Sequence, residues 1–82
     1  MPTIVVWSKP SCVQCTATYR KLDSLGFAYE VRDLTMDPDA VEAFKARGLM
    51  SAPIVVTGDD AWAGFNPIKI GELAAKHQLI AA

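Results

Sequence analysis

Residues 3–22 read TIVVWSKPSCVQCTATYRKL, and the folding of this stretch decides how the rest of the chain is arranged. Thr3 to Trp7 is a dense apolar run with β-branched residues, which reads as a buried central strand. Ser8-Lys9-Pro10 ends it. Ser11 then stands where an N-cap is needed, and a helix can run to about Leu25 with Gly26 as its stop. Cys15, Tyr19, Leu22 and Leu25 recur at i, i+4, i+7 and i+10, which is one helical face. Both cysteines of the chain, Cys12 and Cys15, thus fall at the mouth of a helix that follows a strand.

Working outward, Ala28 to Leu34 alternates as a strand does, with Tyr29, Val31 and Asp33 on one side. The break at Asp33 suits a place near a sheet edge. Asp37-Pro38 supplies an N-cap and a first-turn proline. The helix it opens should carry Ala40, Val41 and Phe44 inward and stop at Gly48. Ala52 to Thr57 is a third short apolar strand, beginning at a proline. Gly58-Asp59-Asp60 is a turn, and Ala61 to Gly64 can return as a hairpin partner. Asn66-Pro67 repeats the cap-plus-proline signal, and Ile70, Leu73, Ala74 and His77 give the last helix an apolar stripe. The order β-α-β-α-β-β-α follows. A right-handed crossover joins the first two strands in parallel, and the hairpin adds antiparallel strands. The expected fold is α/β, a four-stranded mixed sheet flanked by three helices, which is the minimal thioredoxin/glutaredoxin-like architecture.

Composition bounds the function. The 82 residues make one domain, 1–82, near the lower end of what a single core stabilises. A 51% hydrophobic share with 21% charged residues argues for a packed chain, and the net charge of −1 gives no reason to expect nucleic acid or an anionic membrane. The first ten residues have no basic n-region and too short an apolar run for a signal or a membrane span. A cytoplasmic, monomeric protein is the expectation. Thiols are kept reduced in that compartment, so a C-x-x-C pair there works rather than braces. As a staple the pair would be poor, because so short a loop removes little unfolded-state entropy.

Three readings of the pair compete: a redox couple, part of a metal site, or two small residues packed on a helix face. With Ser11 as cap, Cys12 occupies the first helical position, where free N–H groups and the helix dipole favour a thiolate. Lys9 adds positive charge and Pro10 stiffens the entry. Cys15 lies a turn deeper. Cys12 is then the exposed nucleophile and Cys15 the resolving thiol of a thiol–disulfide exchange. Zinc wants four ligands, and His77 is the one nitrogen donor of its kind left in the chain, so no metal site is expected. A small metal-chaperone domain also places C-x-x-C after its first strand, but its order is β-α-β-β-α-β, and the capped helix from Asp37 to Arg47 breaks that order.

Ala52-Pro53 opens the third strand, and X-Pro is the bond at which a cis form is affordable. A proline that simply starts a strand is trans. Beside the C-x-x-C and this topology the cis form is expected, with Ala52 offering backbone groups to an incoming peptide.

Taken together, WSKPSCVQC, SAPIVV and WAGFNP resemble the NrdH-type redoxins, in order and spacing, over nearly the whole chain. These are glutaredoxin-like electron donors of class Ib ribonucleotide reductase. The resemblance implies a Cys12–Cys15 redox disulfide, Pro53 as the cis proline, and Trp62 to Pro67 as the family's signature segment. It implies no bound cofactor, with electrons drawn from NADPH through a flavoprotein thioredoxin reductase. It implies the large subunit of ribonucleotide reductase as partner. The family segment is usually W-S-G-F-R-P followed by an acid; here Ala63, Asn66 and Ile68 stand at the three variable places, and the family's polar network is not expected.

A conventional glutathione-dependent glutaredoxin is the second reading, and a thiol metal-binding or adaptor module the third. Between the cysteines stand Val13 and Gln14 rather than the Pro-Tyr of typical glutaredoxins. Where those proteins hold glutathione with a Gly-Gly-x-Asp-like turn, this chain has Trp62, Ala63, Gly64 and Phe65. An apolar rim suits protein docking. Trp62 and Phe65 fit either hairpin core or partner contact, and Trp7 either packs at its strand end or borders the site. Asp33 is placed either exposed on an edge strand or beneath Cys15 as an aid to deprotonation. Asp59 and Asp60 read as turn residues, and His77 as a packed or dipole-facing side chain without catalytic duty.

Overall fold

A computed structural model describes residues 3–58 and 60–81, with side chains to residue 76. In chain order the elements are β1 (Ile4–Ser8), α1 (Val13–Ser24), β2 (Glu30–Asp33), a 3-10 turn (Leu34–Met36), α2 (Pro38–Ala46), β3 (Ile54–Thr57), β4 (Asp60–Ala63) and α3 (Pro67–Ala81). The sheet order is β2-β1-β3-β4. β1 runs parallel to β2 and antiparallel to β3, which pairs antiparallel with β4. The architecture is the expected four-stranded mixed sheet with three helices.

Strand register sorts the side chains into two faces. Ile4 and Val6 pair with Thr57 and Val55, and Val55 pairs with Trp62, so these point to one side. There they meet Leu22 of α1 and Ile70 and Leu73 of α3 in one buried cluster, edged by Tyr19, Phe27 and Tyr29. Leu22 and Ile70 are fully buried, each contributing roughly 1.5–3 kcal/mol of transfer free energy. On the other face Trp7 meets Phe44 of α2 edge-on, with ring centroids 5.5 Å apart, and the Arg32 guanidinium lies 5.7 Å from the Trp7 ring. Trp7 therefore packs at its strand end.

The helix ends follow from local chemistry. Asp37 Oδ1 accepts from Ala40 N–H at 3.0 Å, and Pro38 opens α2; Asn66 Oδ1 accepts from Lys69 N–H at 3.1 Å ahead of α3. Both α1 and α2 close in the same way. Gly26 and Gly48 take φ of 77°, and the next N–H in each case reaches back to Leu22 O at 3.0 Å and to Phe44 O at 2.9 Å.

Three expectations are corrected, and of the two places considered for Asp33 the exposed edge strand is the one observed. Ser11 is not the cap of α1. It lies in the reversing loop with φ 57°, and Cys12 takes the cap position. Leu25 does not share the buried face of Cys15 and Leu22; it is the C-cap, where the chain leaves the helix, and is 40% exposed. Asp33 does not lie beneath Cys15. It ends an exposed edge strand and caps the 3-10 turn, accepting from Thr35 N–H at 2.8 Å and Thr35 Oγ1 at 2.6 Å, bonds that hold its carboxyl below the usual range. The hairpin returns from Asp60 to Ala63, one residue earlier than expected, because Asp60 pairs with Thr57. The expectations for Asp59 and for the side chain of His77 lie outside the described residues.

Candidate active site

β1 ends at buried Ser8, and exposed Lys9, Pro10 and Ser11 carry the chain to the helix. The turn is tight enough to put Ser11 in the left-handed region, and the next residue, Cys12, returns to extended geometry at φ −108°. That conformation aims the sulfur back at the helix. Cys12 Sγ accepts from Cys15 N–H at 3.1 Å, while Cys12 O receives Thr16 N–H at 3.2 Å. The sulfur thus takes the cap that Ser11 was expected to supply, and it sits on a free amide at the positive end of the helix dipole. Cys12 is half-buried and Cys15 only 2% exposed. The two are joined as a disulfide, with Cα atoms 5.2 Å apart.

Three chain segments meet around this pair. Val13 is 84% exposed beside it. The Ala52-Pro53 bond is cis, with Pro53 buried and Ala52 half-buried. Pro53 O accepts from Gly64 N–H at 2.7 Å, and Gly64 takes φ 83°, so the turn after β4 is fastened to the proline. Phe65 N–H donates to Gln14 Oε1 at 2.9 Å, which fastens the same turn to the residue between the cysteines. Phe65 itself is 36% exposed. An apolar cleft of about 60 Å³, lined by Phe44, Leu49, Met50, Ala52 and Ile54 among others, opens on the α2 side of Ala52.

Trp62, expected at the rim as one of two alternatives, lies in the core instead, 7% exposed, because its pairing with Val55 turns it toward α1 and α3. Its Nε1 is buried without a partner among the described residues. Lys69 Nζ lies 5.6 Å from the centre of its ring and 2.7 Å from Asp60 Oδ2. The Lys69 bond, more than the Ala61 N–H, holds the Asp60 carboxyl below its ordinary range, and Asp60 holds the Lys69 ammonium above its own. Sequence reasoning found the paired cysteines and the cis proline. It missed the bond from Gln14 to Phe65 and the Asp60–Lys69 pair; a bond across 51 residues leaves no local signal. Among the described residues no group of three or more His, Cys, Asp or Glu side chains is placed to hold a metal ion, and no helix is long and apolar enough to cross a membrane.

An N-cap cysteine joined to a buried one a turn deeper is arranged for exchange with an outside disulfide. The glutaredoxin family profile matches residues 4–62. The glutaredoxin-like protein NrdH of Salmonella typhimurium is 38% identical over 71 residues, covering 87% of this chain and 88% of that protein. NrdH of Lactococcus lactis strain IL1403 is 30% identical over 71 residues, covering 87% and 99%. The solved NrdH-redoxin of Escherichia coli, described as having a thioredoxin-like activity profile, superposes with a TM-score of 0.81 at 38% identity, covering 87% of this chain and 93% of that one. The chain therefore belongs to the glutaredoxin family, among its NrdH glutaredoxin-like members, and is a thiol–disulfide oxidoreductase.

Proposed function

We propose that the protein is a cytoplasmic dithiol electron donor to a protein disulfide, that of the class Ib ribonucleotide reductase large subunit foremost, and that an NADPH-dependent flavoprotein thioredoxin reductase recharges it. The observation that carries the reading is the unequal placement of the two sulfurs, Cys12 half-buried at the helix cap and Cys15 2% exposed. Kinship with NrdH proteins, one of them with a thioredoxin-like activity profile, supports the partner and the reductase.

In the reduced protein the Cys15 N–H and the helix dipole stabilise negative charge on Cys12 Sγ. That thiolate attacks one sulfur of the partner disulfide and expels the other as a thiolate, leaving a mixed disulfide on Cys12. Cys15, deprotonated, then attacks Cys12 Sγ and releases the partner's second thiol. Two electrons and two protons pass to the partner, and the Cys12–Cys15 disulfide forms. Lys9 adds positive charge near the loop, and Pro10 stiffens it. Ala52, before the cis proline, offers backbone groups to an extended partner segment, and Val13 and Phe65 offer it apolar surface. Gly64 keeps the neighbouring turn in place, and Trp62 supports it from the core. The protein acts as a monomer.

Trapping tests the assignment. Cys15→Ser protein, mixed with oxidised class Ib large subunit, should accumulate a covalent one-to-one complex that a reductant dissolves. Cys12→Ser protein should form none. Equal trapping by both, or by neither, contradicts this division of roles between the two sulfurs.

A further inference from the structure

The cleft on the α2 side of Ala52 takes no part in the exchange chemistry, yet it adjoins the residue that precedes the cis proline. Phe44, Leu49 and Ile54 form apolar walls, and Ala52 belongs to the lining. Met50 lies on its rim and is 74% exposed. A methionine there adapts to partner side chains of different shape, and its thioether is open to oxidants in solution. Met36, in the 3-10 turn, is as open at 80% but is not part of the cleft, and Met1 lies outside the described residues. In the oxidised protein Cys12 and Cys15, the two cysteines of the chain, are tied to each other, so the thioethers are the sulfurs left open to a peroxide.

We propose that Met50 is a redox modification site, at which a peroxide forms the sulfoxide and thereby weakens the docking of a protein disulfide at the cleft. The inference rests on the protein-disulfide reading above, in which an extended partner segment lies along Ala52. Such a segment sends alternate side chains to opposite sides, and one of them meets the cleft. With hydrogen peroxide, the thioether gives an electron pair to one peroxide oxygen; the S–O bond forms, the O–O bond breaks, and the other oxygen leaves as water with both protons. Sulfur loses two electrons and the peroxide gains them. The product places a hydrogen-bond acceptor at the mouth of an apolar cleft, where a seated partner side chain strips it of water and offers no donor in return. Enzymatic reduction of the sulfoxide restores the thioether. A donor that meets peroxide while oxidised is thus withdrawn from its partner with its cysteines intact.

The test treats the oxidised protein with hydrogen peroxide, removes the peroxide, and reduces the Cys12–Cys15 disulfide with dithiothreitol. The second-order rate of exchange is then measured with the oxidised class Ib large subunit and, separately, with bis(2-hydroxyethyl) disulfide, which is too small to need the cleft. Peptide mass spectrometry should place one added oxygen on Met50. Exchange with the large subunit should slow at least about five-fold, and exchange with the small disulfide should not change. Met50→Leu should abolish the slowing, and Met36→Leu should leave it as it is. An unoxidised Met50, an unchanged rate with Met50 oxidised, the same slowing in Met50→Leu, or equal slowing with both disulfides overturns the inference alone. Absence of exchange with the large subunit before any treatment overturns the protein-disulfide reading and this inference with it.

Discussion

Ser11 takes φ 57°, a region that costs a residue bearing a Cβ about 1–2 kcal/mol. The loop accepts this because β1 must give way to α1 within four residues, Lys9 to Cys12, with the sulfur aimed at the helix. Ser11→Gly should therefore stabilise the protein by up to about 1 kcal/mol in urea unfolding, the relief being offset by the greater freedom of glycine in the unfolded chain. A loss of stability would mean that the serine hydroxyl has a part in the loop that its geometry does not give it. The cap lies one residue beyond the place that residue preference indicates, and for a chemical reason. Serine is a habitual N-cap and sulfur a weak acceptor, so preference points to Ser11. What places Cys12 there is the left-handed turn before it, which no residue preference reveals. Cys12 and Cys15 were legible because their spacing, alone in the chain, carries its own geometry.

The elements were legible where their ends are chemical. Gly26 and Gly48 stop their helices, and Asp37-Pro38 and Asn66-Pro67 open theirs, each through bonds to residues only a few positions away. β2 was harder. Its four residues are all exposed, so alternation there says little about which face is inward, and Asp33 turns outward to cap the next turn. The crossover from α1 to β2 is held instead by Tyr29, whose hydroxyl donates to Asp23 Oδ1 at 2.9 Å and whose ring stacks on Tyr19 at 5.8 Å. Burial first, then the bond to Asp23 and its charge, push the Tyr29 hydroxyl from an ordinary 10.0 up to about 12. A raised value means that the fold favours the neutral phenol. Its contribution is complete below pH 10, where the phenol is neutral in both states, and drains away as pH rises through about 12. Tyr29→Phe should cost about 1 kcal/mol near neutrality and should flatten the loss of stability between those two pH values. Parallel pH profiles for the two proteins would show that the Asp23 bond does not matter in solution.

At the scale of the whole molecule, the sheet order follows from a right-handed crossover and one hairpin, which is why the architecture could be read from element order. The site could be read only in part, because it is assembled from three distant segments. Local signals in the chain placed Cys12, Cys15 and Pro53. The bond from Gln14 to Phe65 and the inward turn of Trp62 depend on strand register and packing, which exist only once the sheet is formed. That assembly fastens the turn after β4 both to the cis proline, through Gly64, and to the residue between the cysteines, through Phe65. The proposed function is electron exchange with protein disulfides and a thioredoxin reductase. It is checked by steady NADPH oxidation in the presence of a protein disulfide substrate, with thioredoxin reductase in one arm and glutathione plus glutathione reductase in the other. Sustained turnover is expected in the first arm and background in the second. Turnover confined to the glutathione arm would contradict it.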